Sequence, residues 1–248
     1  MTEKWVQGEV VSVKHWTESL YSIKIDAPNI KFTAGQYTRV SLDIDNEEIA
    51  RPYSFVNSPE EPFLEIYSVS VPNGPLSTSL QKLDKGDLIK VYRNANGFLV
   101  LNEIPIVENI WMLATGTGIG PYLSILKTKS SWERFERVIL VHAVRYEKEL
   151  TYQDTIKELK KKYGERFIYI TFVSREKTED SLPGRIPEGI KDGSLEDKAQ
   201  IKMLPENTHV MLCGNPDMLR DTTIKLKEIG LKKHRRSSPG HITTENYW

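Results

Sequence analysis

NIWMLATGTGIGPYLSIL, residues 109–126, runs from an unbroken apolar stretch through a glycine-rich turn into residues with helical spacing. An apolar run bounded by such a turn reads as a buried strand over 110–115, and the turn then opens a helix. Three more such runs follow, RVILVHAV from Arg137, FIYITFV from Phe167 and HVMLCG from His209, separated by stretches with helical spacing such as 152–163. Strands that are apolar along their whole length are covered on both faces, and their alternation with helices makes an open parallel sheet. The second half is therefore expected to be a Rossmann-like α/β domain, with 177–202 its most loop-like stretch.

In such a sheet ligands bind outside the carboxyl ends of the strands. The residues ending the four runs are Thr115, Arg145, Ser174 with Arg175, and Cys213, which places hydroxyl, guanidinium and thiol groups along one edge. Gly116, Gly118 and Gly120 let backbone approach a pyrophosphate, whose charge suits a helix N-terminus. The pattern departs from GxGxxG, because Pro121 stands at the last glycine position, and no acidic residue ends the next strand to hold a ribose hydroxyl. Arg145 stands there instead. A guanidinium at that point suits a 2′-phosphate, and Ser174, Arg175 and Arg185 lie close enough in sequence to join it. The alternative is that these arginines are solvated surface charges.

Residues 5–101 follow a different rule. Short period-two runs, Tyr21, Ile23, Ile25 and Tyr67, Val69, Val71, are broken by Pro, Gly and Asn, which reads as an antiparallel sheet or small barrel. Within it RPYSFVNSP places Arg51, Tyr53 and Ser54 in four residues, a phosphate neutraliser, a flat ring and a hydrogen-bonding hydroxyl. An edge strand of mixed polarity is the plainer explanation. PNGPLSTSL then supplies a turn and a helix start at Ser77, whose free N–H groups favour phosphate. Two phosphate-friendly sites suggest two nucleotides.

With 248 residues, the chain is long enough for two domains, here 1–101 and 102–248. Thirty-four basic residues balance thirty-four acidic ones, so no bulk field attracts nucleic acid or an anionic membrane. One cysteine and scattered histidines supply neither a disulfide framework nor a metal-ligand spacing. No signal-peptide core or membrane-length apolar window is present, so a cytoplasmic protein is expected. The basic run KKHRR, 232–236, is a solvated face or a dock for an acidic protein.

RPYS, PNGPLS, GTGIGP, CGNP and an aromatic end, in this order, resemble the ferredoxin-NADP reductase family over nearly the whole chain, most closely the bacterial ferredoxin/flavodoxin-NADP reductase subgroup that ends in Tyr-Trp. The resemblance implies an antiparallel FAD-binding β-barrel followed by an NADP-binding α/β domain, with flavin in the cleft between them. It implies that Arg51, Pro52, Tyr53 and Ser54 bind FAD with Tyr67 and Val69, that Gly74, Pro75, Leu76 and Ser77 meet its pyrophosphate, and that Thr115 and Thr117 lie at the cofactors. Tyr247 would stack on the flavin, or plug a core, and Trp248 would cover the adenine. The nicotinamide would swing toward Ser54 and Cys213, Tyr247 would yield its place to it, and Glu245 would relay protons or orient it. The implied activity is FAD-dependent electron transfer between NADPH and flavodoxin or ferredoxin. Same-fold alternatives are an NADH-preferring oxygenase-type or cytochrome reductase, or a flavin-binding redox sensor without turnover.

Overall fold

A computed structural model describes residues 4–246 of the chain. They form two compact units, one running to Val100 and including Gly120–Thr128, the other comprising Leu101–Ile119 and the chain from Lys129 onward.

The first unit contains β1 (Trp5–His15), β2 (Leu20–Asp26), β3 (Tyr37–Ile44), β4 (Glu47–Ser54), β5 (Leu64–Val69), the helix α1 (Pro75–Gln81) and β6 (Leu88–Tyr92). In β1, Val6, Gly8 and Val10 are buried while Gln7 and Glu9 are exposed, so the period-two pattern turns one face inward. The strands pair antiparallel in the order β4-β3-β6-β1-β2-β5. Just past β4, Phe55 bridges to Ile66 of β5, and the Val56 N–H donates to the Glu65 carbonyl at 2.8 Å. These bonds bring the two outer strands together and curl the sheet into a barrel. Leu76 and Leu80 of α1 are buried against Tyr21, Ile23, Val40 and Val91 in its core, at roughly 1.5–3 kcal/mol for each leucine. Pro52 lies in β4, which pairs along its length only with β3, so the missing N–H breaks no central ladder.

The other unit is built around β7 (Asn109–Thr115), β8 (Arg137–Val144), β9 (Phe167–Val173), β10 (Leu182–Pro183), β11 (Thr208–Gly214) and β12 (Ile242–Asn246), all parallel in the order β10-β9-β8-β7-β11-β12. Its helices are α3 (Ser130–Arg134), α4 (Gln153–Tyr163), α5 (Ile186–Lys191), α6 (Ser194–Ala199) and α7 (Pro216–Glu228); α2 (Gly120–Leu126) packs with the first unit, where the Ser124 hydroxyl donates to the Asn57 carbonyl at 2.6 Å. The four apolar runs are β7, β8, β9 and β11, and every residue of β11 is buried. Two expectations need correction. Residues 177–202 are not mainly loop but contain β10, α5 and α6, and the helix expected from Ser77 starts at Pro75. The chain steps outward from β7 through β10 and then returns to the other side of β7 as β11. The order therefore reverses between β7 and β11, which makes their carboxyl ends the topological switch point.

His209 joins the edge strand β12 to β11: it is fully buried on β11, and its Nε2 lies 2.9 Å from the Thr243 hydroxyl of β12. Burial first, then the nearby His234 and His241, lowers its pKa from 6.5 to about 3. The fold thus favours neutral imidazole, so the stabilisation is complete above pH 6.5 and is lost as pH falls from there toward 3. Within that window, unfolding free energy is expected to drop by about 1.4 kcal/mol per pH unit from this group. Denaturant unfolding of His209→Gln should show a correspondingly shallower acid slope; identical slopes would contradict the assignment.

Candidate functional site

In the first unit the end of β4 presents the expected residues in graded burial. Arg51 and Pro52 are exposed, Tyr53 is half-buried and Ser54 is buried. Burial above all raises the Tyr53 pKa to about 12, although a hydrogen bond with Ser68 and the charge of Arg51 pull it down. The ring is therefore a neutral phenol at working pH. The Ser54 hydroxyl, on a residue 2% exposed, has no hydrogen-bond partner among the described residues. Tyr67 is fully buried in β5 and Val69 partly so.

The turn that follows is closed by its own side chains. Ser77 Oγ accepts the Val71 N–H at 3.1 Å and donates to the Gly74 carbonyl at 3.2 Å, while the buried Tyr21 hydroxyl donates to the Ser77 carbonyl at 2.7 Å. Gly74 is the N-cap of α1, Pro75 its first residue, and no side chain caps it. Leu76 points into the core, so Leu76 and Ser77 offer a ligand backbone N–H groups rather than side chains, while the Gly74 N–H is given to the Val71 carbonyl at 2.9 Å. Tyr21 was not singled out in the sequence. Its place in an alternating run marks it only as core.

In the second unit the switch point is assembled from GTGIGP after β7 and CGNP at the end of β11. Residues Gly116–Ile119 form a single 3-10 turn before α2. The glycines serve different purposes. Gly116 has φ +51°, and an added Cβ there would meet nothing within 4 Å, so the turn is open at that point. A Cβ on Gly118 would come within 2.7 Å of the Cys213 carbonyl oxygen, so that glycine permits the two strand ends to touch. Thr117 is 7% exposed. The Thr115 hydroxyl accepts the Asn215 N–H at 2.9 Å, and Asn215 caps α7 by accepting from the N–H groups of Asp217 and Met218, with Pro216 in the first turn. Beneath the turn, the buried His142 places Nε2 3.0 Å from the Gly116 carbonyl oxygen.

Cys213 is fully buried and pairs in register with Glu245 of β12. Burial, with the Glu245 charge adding to it, pushes its thiol well above the ordinary range. It is no thiolate nucleophile. Glu245 is half-buried beside it.

The arginines stand along the same carboxyl edge. Arg145 follows β8, Ser174 and Arg175 follow β9, and Arg185 stands two residues beyond Pro183, which pairs with Val173. The loops are laced together, the Arg175 N–H donating to the Arg145 carbonyl at 2.9 Å and the Ser174 hydroxyl to the Val144 carbonyl at 3.3 Å. The Glu149 carboxylate accepts the backbone N–H groups of Arg145 and Tyr146. Among the described residues no salt bridge engages Arg145, Arg175 or Arg185, whereas Arg220 and Arg236 each hold carboxylates. Tyr146, which no strand-end pattern singles out, has the Arg175 guanidinium 5.9 Å from its ring centroid.

The halves match two family models, Oxidoreductase FAD-binding domain over 9–95 and Oxidoreductase NAD-binding domain over 112–223. The chain is 50% identical over 245 residues to the flavodoxin/ferredoxin–NADP reductase of Escherichia coli (strain K12), covering 98% of this chain and 99% of that protein. It belongs to the flavodoxin/ferredoxin–NADP reductase family. The ferredoxin–NADP reductase of Pseudomonas aeruginosa is 36% identical over 246 residues, 95% of each chain. A ferredoxin NADP+ reductase from Neisseria gonorrhoeae, solved with bound FAD and NADP, matches with a TM-score of 0.94 at 35% identity, over 98% of this chain and 99% of that one.

The family expected from the motifs is thus the one found. The finer reading of a Tyr-Trp ending rests on Tyr247 and Trp248, which lie outside the described residues. In this reductase-family chain the basic run is only partly free. Arg236 grips the Glu103 carboxylate at 2.6 and 2.7 Å, leaving Lys232, Lys233 and Arg235 as the exposed charges of 232–236 without a salt bridge among the described residues. No helix among the described residues is long and apolar enough to cross a membrane.

Proposed function

We propose that this protein is an FAD-dependent reductase that moves electrons between NADPH and flavodoxin or ferredoxin. The observation that carries the reading is the carboxyl edge of β8, β9 and β10, where Arg145, Ser174, Arg175 and Arg185 follow adjacent strand ends and the three arginines engage no carboxylate among the described residues. Three such guanidinia at adjacent strand ends suit a phosphate with two negative charges better than a ribose hydroxyl, which favours NADPH over NADH.

The residues also fit FAD. A buried hydroxyl without a partner among the described residues, Ser54, ends the strand that carries Arg51 and Tyr53, and the uncapped start of α1 leaves the Leu76 and Ser77 N–H groups for a diphosphate. When bound, FAD would supply the step from paired to single electrons that a nicotinamide cannot make by itself. The protein's own part is position and electrostatics. Arg51 neutralises phosphate, the Tyr53 phenol offers a flat uncharged face, and Ser54 offers its hydroxyl. The open turn at Gly116 receives the coenzyme diphosphate, and Arg145, Ser174, Arg175 and Arg185 hold its 2′-phosphate. Cys213, kept as a neutral thiol, and Glu245 sit together at the end of β11 and β12 to orient the nicotinamide. Tyr247 and Trp248 would cover flavin and adenine. Lys232, Lys233 and Arg235 form the dock for an acidic electron carrier, and the cytoplasm is the proposed location.

Purified protein denatured by heat should release FAD, identified by chromatography and mass. Recovery of FMN alone, or folded protein with no flavin after reconstitution with FAD, would overturn the proposal.

A further inference from the structure

His142 lies near the end of β8, paired with Ala114 of β7 on one side and Thr171 of β9 on the other, and is completely buried. A histidine there costs desolvation that a valine would not. Among the described residues its ring makes one hydrogen bond, between Nε2 and the Gly116 carbonyl oxygen at 3.0 Å. A carbonyl only accepts, so Nε2 carries the proton and donates. Nδ1 is then the bare nitrogen, and it has no partner among the described residues. Burial lowers the pKa to about 4, so this single neutral tautomer persists at working pH.

The bond fixes more than one atom. The chain contains no cis peptide among the described residues. In a planar trans peptide the C=O of one residue and the N–H of the next point in opposite directions. With the Gly116 carbonyl drawn toward the buried imidazole, the N–H of Thr117 is turned away from it. At φ +51°, in the left-handed region that glycine tolerates, and with nothing within 4 Å of where a Cβ would sit, the backbone at Gly116 is open to a ligand.

We propose that His142 is a positioning residue for coenzyme binding, holding the Gly116–Thr117 peptide so that its N–H, and not its carbonyl, meets the diphosphate. This rests on the reading of the second unit as the NADP(H) site. The FAD-loaded protein and its His142→Gln and His142→Asn variants would be titrated with NADP+ and with 2′-phospho-AMP, which carries the arginine-binding phosphate but no diphosphate. Glutamine places a donor where Nε2 stands; asparagine falls short of Gly116. NADP+ affinity should stay near the unsubstituted value in the glutamine variant and drop about 10-fold in the asparagine variant, with 2′-phospho-AMP unchanged in both. In the unsubstituted protein, the Thr117 amide resonance should shift with NADP+ and not with 2′-phospho-AMP. Equal NADP+ affinity in the two variants, equal loss of both ligands, or an unmoved Thr117 amide would overturn the assignment. Failure of the unsubstituted protein to bind either ligand would overturn the coenzyme reading beneath it.

Discussion

Arg175→Ala is expected to weaken NADPH binding by about 10-fold to 150-fold while leaving NADH almost untouched. The guanidinium follows β9, and its loop is tied to that of Arg145 by a backbone bond at 2.9 Å. It engages no carboxylate among the described residues, so its removal strands no buried charge. What is lost is the charge-assisted bonding to the 2′-phosphate, worth roughly 1.5–3 kcal/mol. NADH has no such group. The group is exposed, so the difference should shrink as salt rises and screens it. Steady-state kinetics with both coenzymes checks this. Equal loss of both would mean that Arg175 supports shared contacts or the loop itself.

Gly214→Ala should be far more damaging than its size suggests. Gly214 has φ +133°, and its Cβ would stand 2.1 Å from Thr115 Oγ1 and 3.0 Å from the Thr115 carbonyl oxygen. Either the end of β11 or the hydroxyl that accepts the Asn215 N–H must move. A cost of roughly 4 kcal/mol is expected, with a fall in melting temperature of about 10 °C and loss of coenzyme affinity. Gly86→Ala is the control. Its φ is +96° but nothing lies within 4 Å of the added methyl, so only the backbone strain, about 1–2 kcal/mol, should appear. Equal destabilisation by the two substitutions would remove the steric part of this explanation.

The parallel sheet was legible because its central strands are buried on both faces and therefore write unbroken apolar runs. Its outer strands were not. β10 is two residues long and includes a proline, and β12 reads Ile-Thr-Thr-Glu-Asn, polar enough to pass for a tail. Strand ends located Thr115, Arg145, Ser174, Arg175 and Cys213 correctly along one edge, because that position follows from where a run stops. The chemistry of individual groups was harder to read. Nothing in GTGIGP separates the open Gly116 from the packed Gly118, since the difference lies in a strand about 95 residues away in sequence. His142 was hidden inside RVILVHAV, where one polar residue in an apolar run looks like noise until the Gly116 carbonyl is seen above it.

A flavin held by this chain is expected to take electrons from NADPH in preference to NADH. Anaerobic titration of the FAD-loaded protein with each coenzyme, followed by flavin absorbance, measures it directly. Bleaching with NADPH at low stoichiometric excess, and with NADH only at far higher concentration, is the expected result. No bleaching by NADPH, or equal bleaching by the two coenzymes, would contradict it.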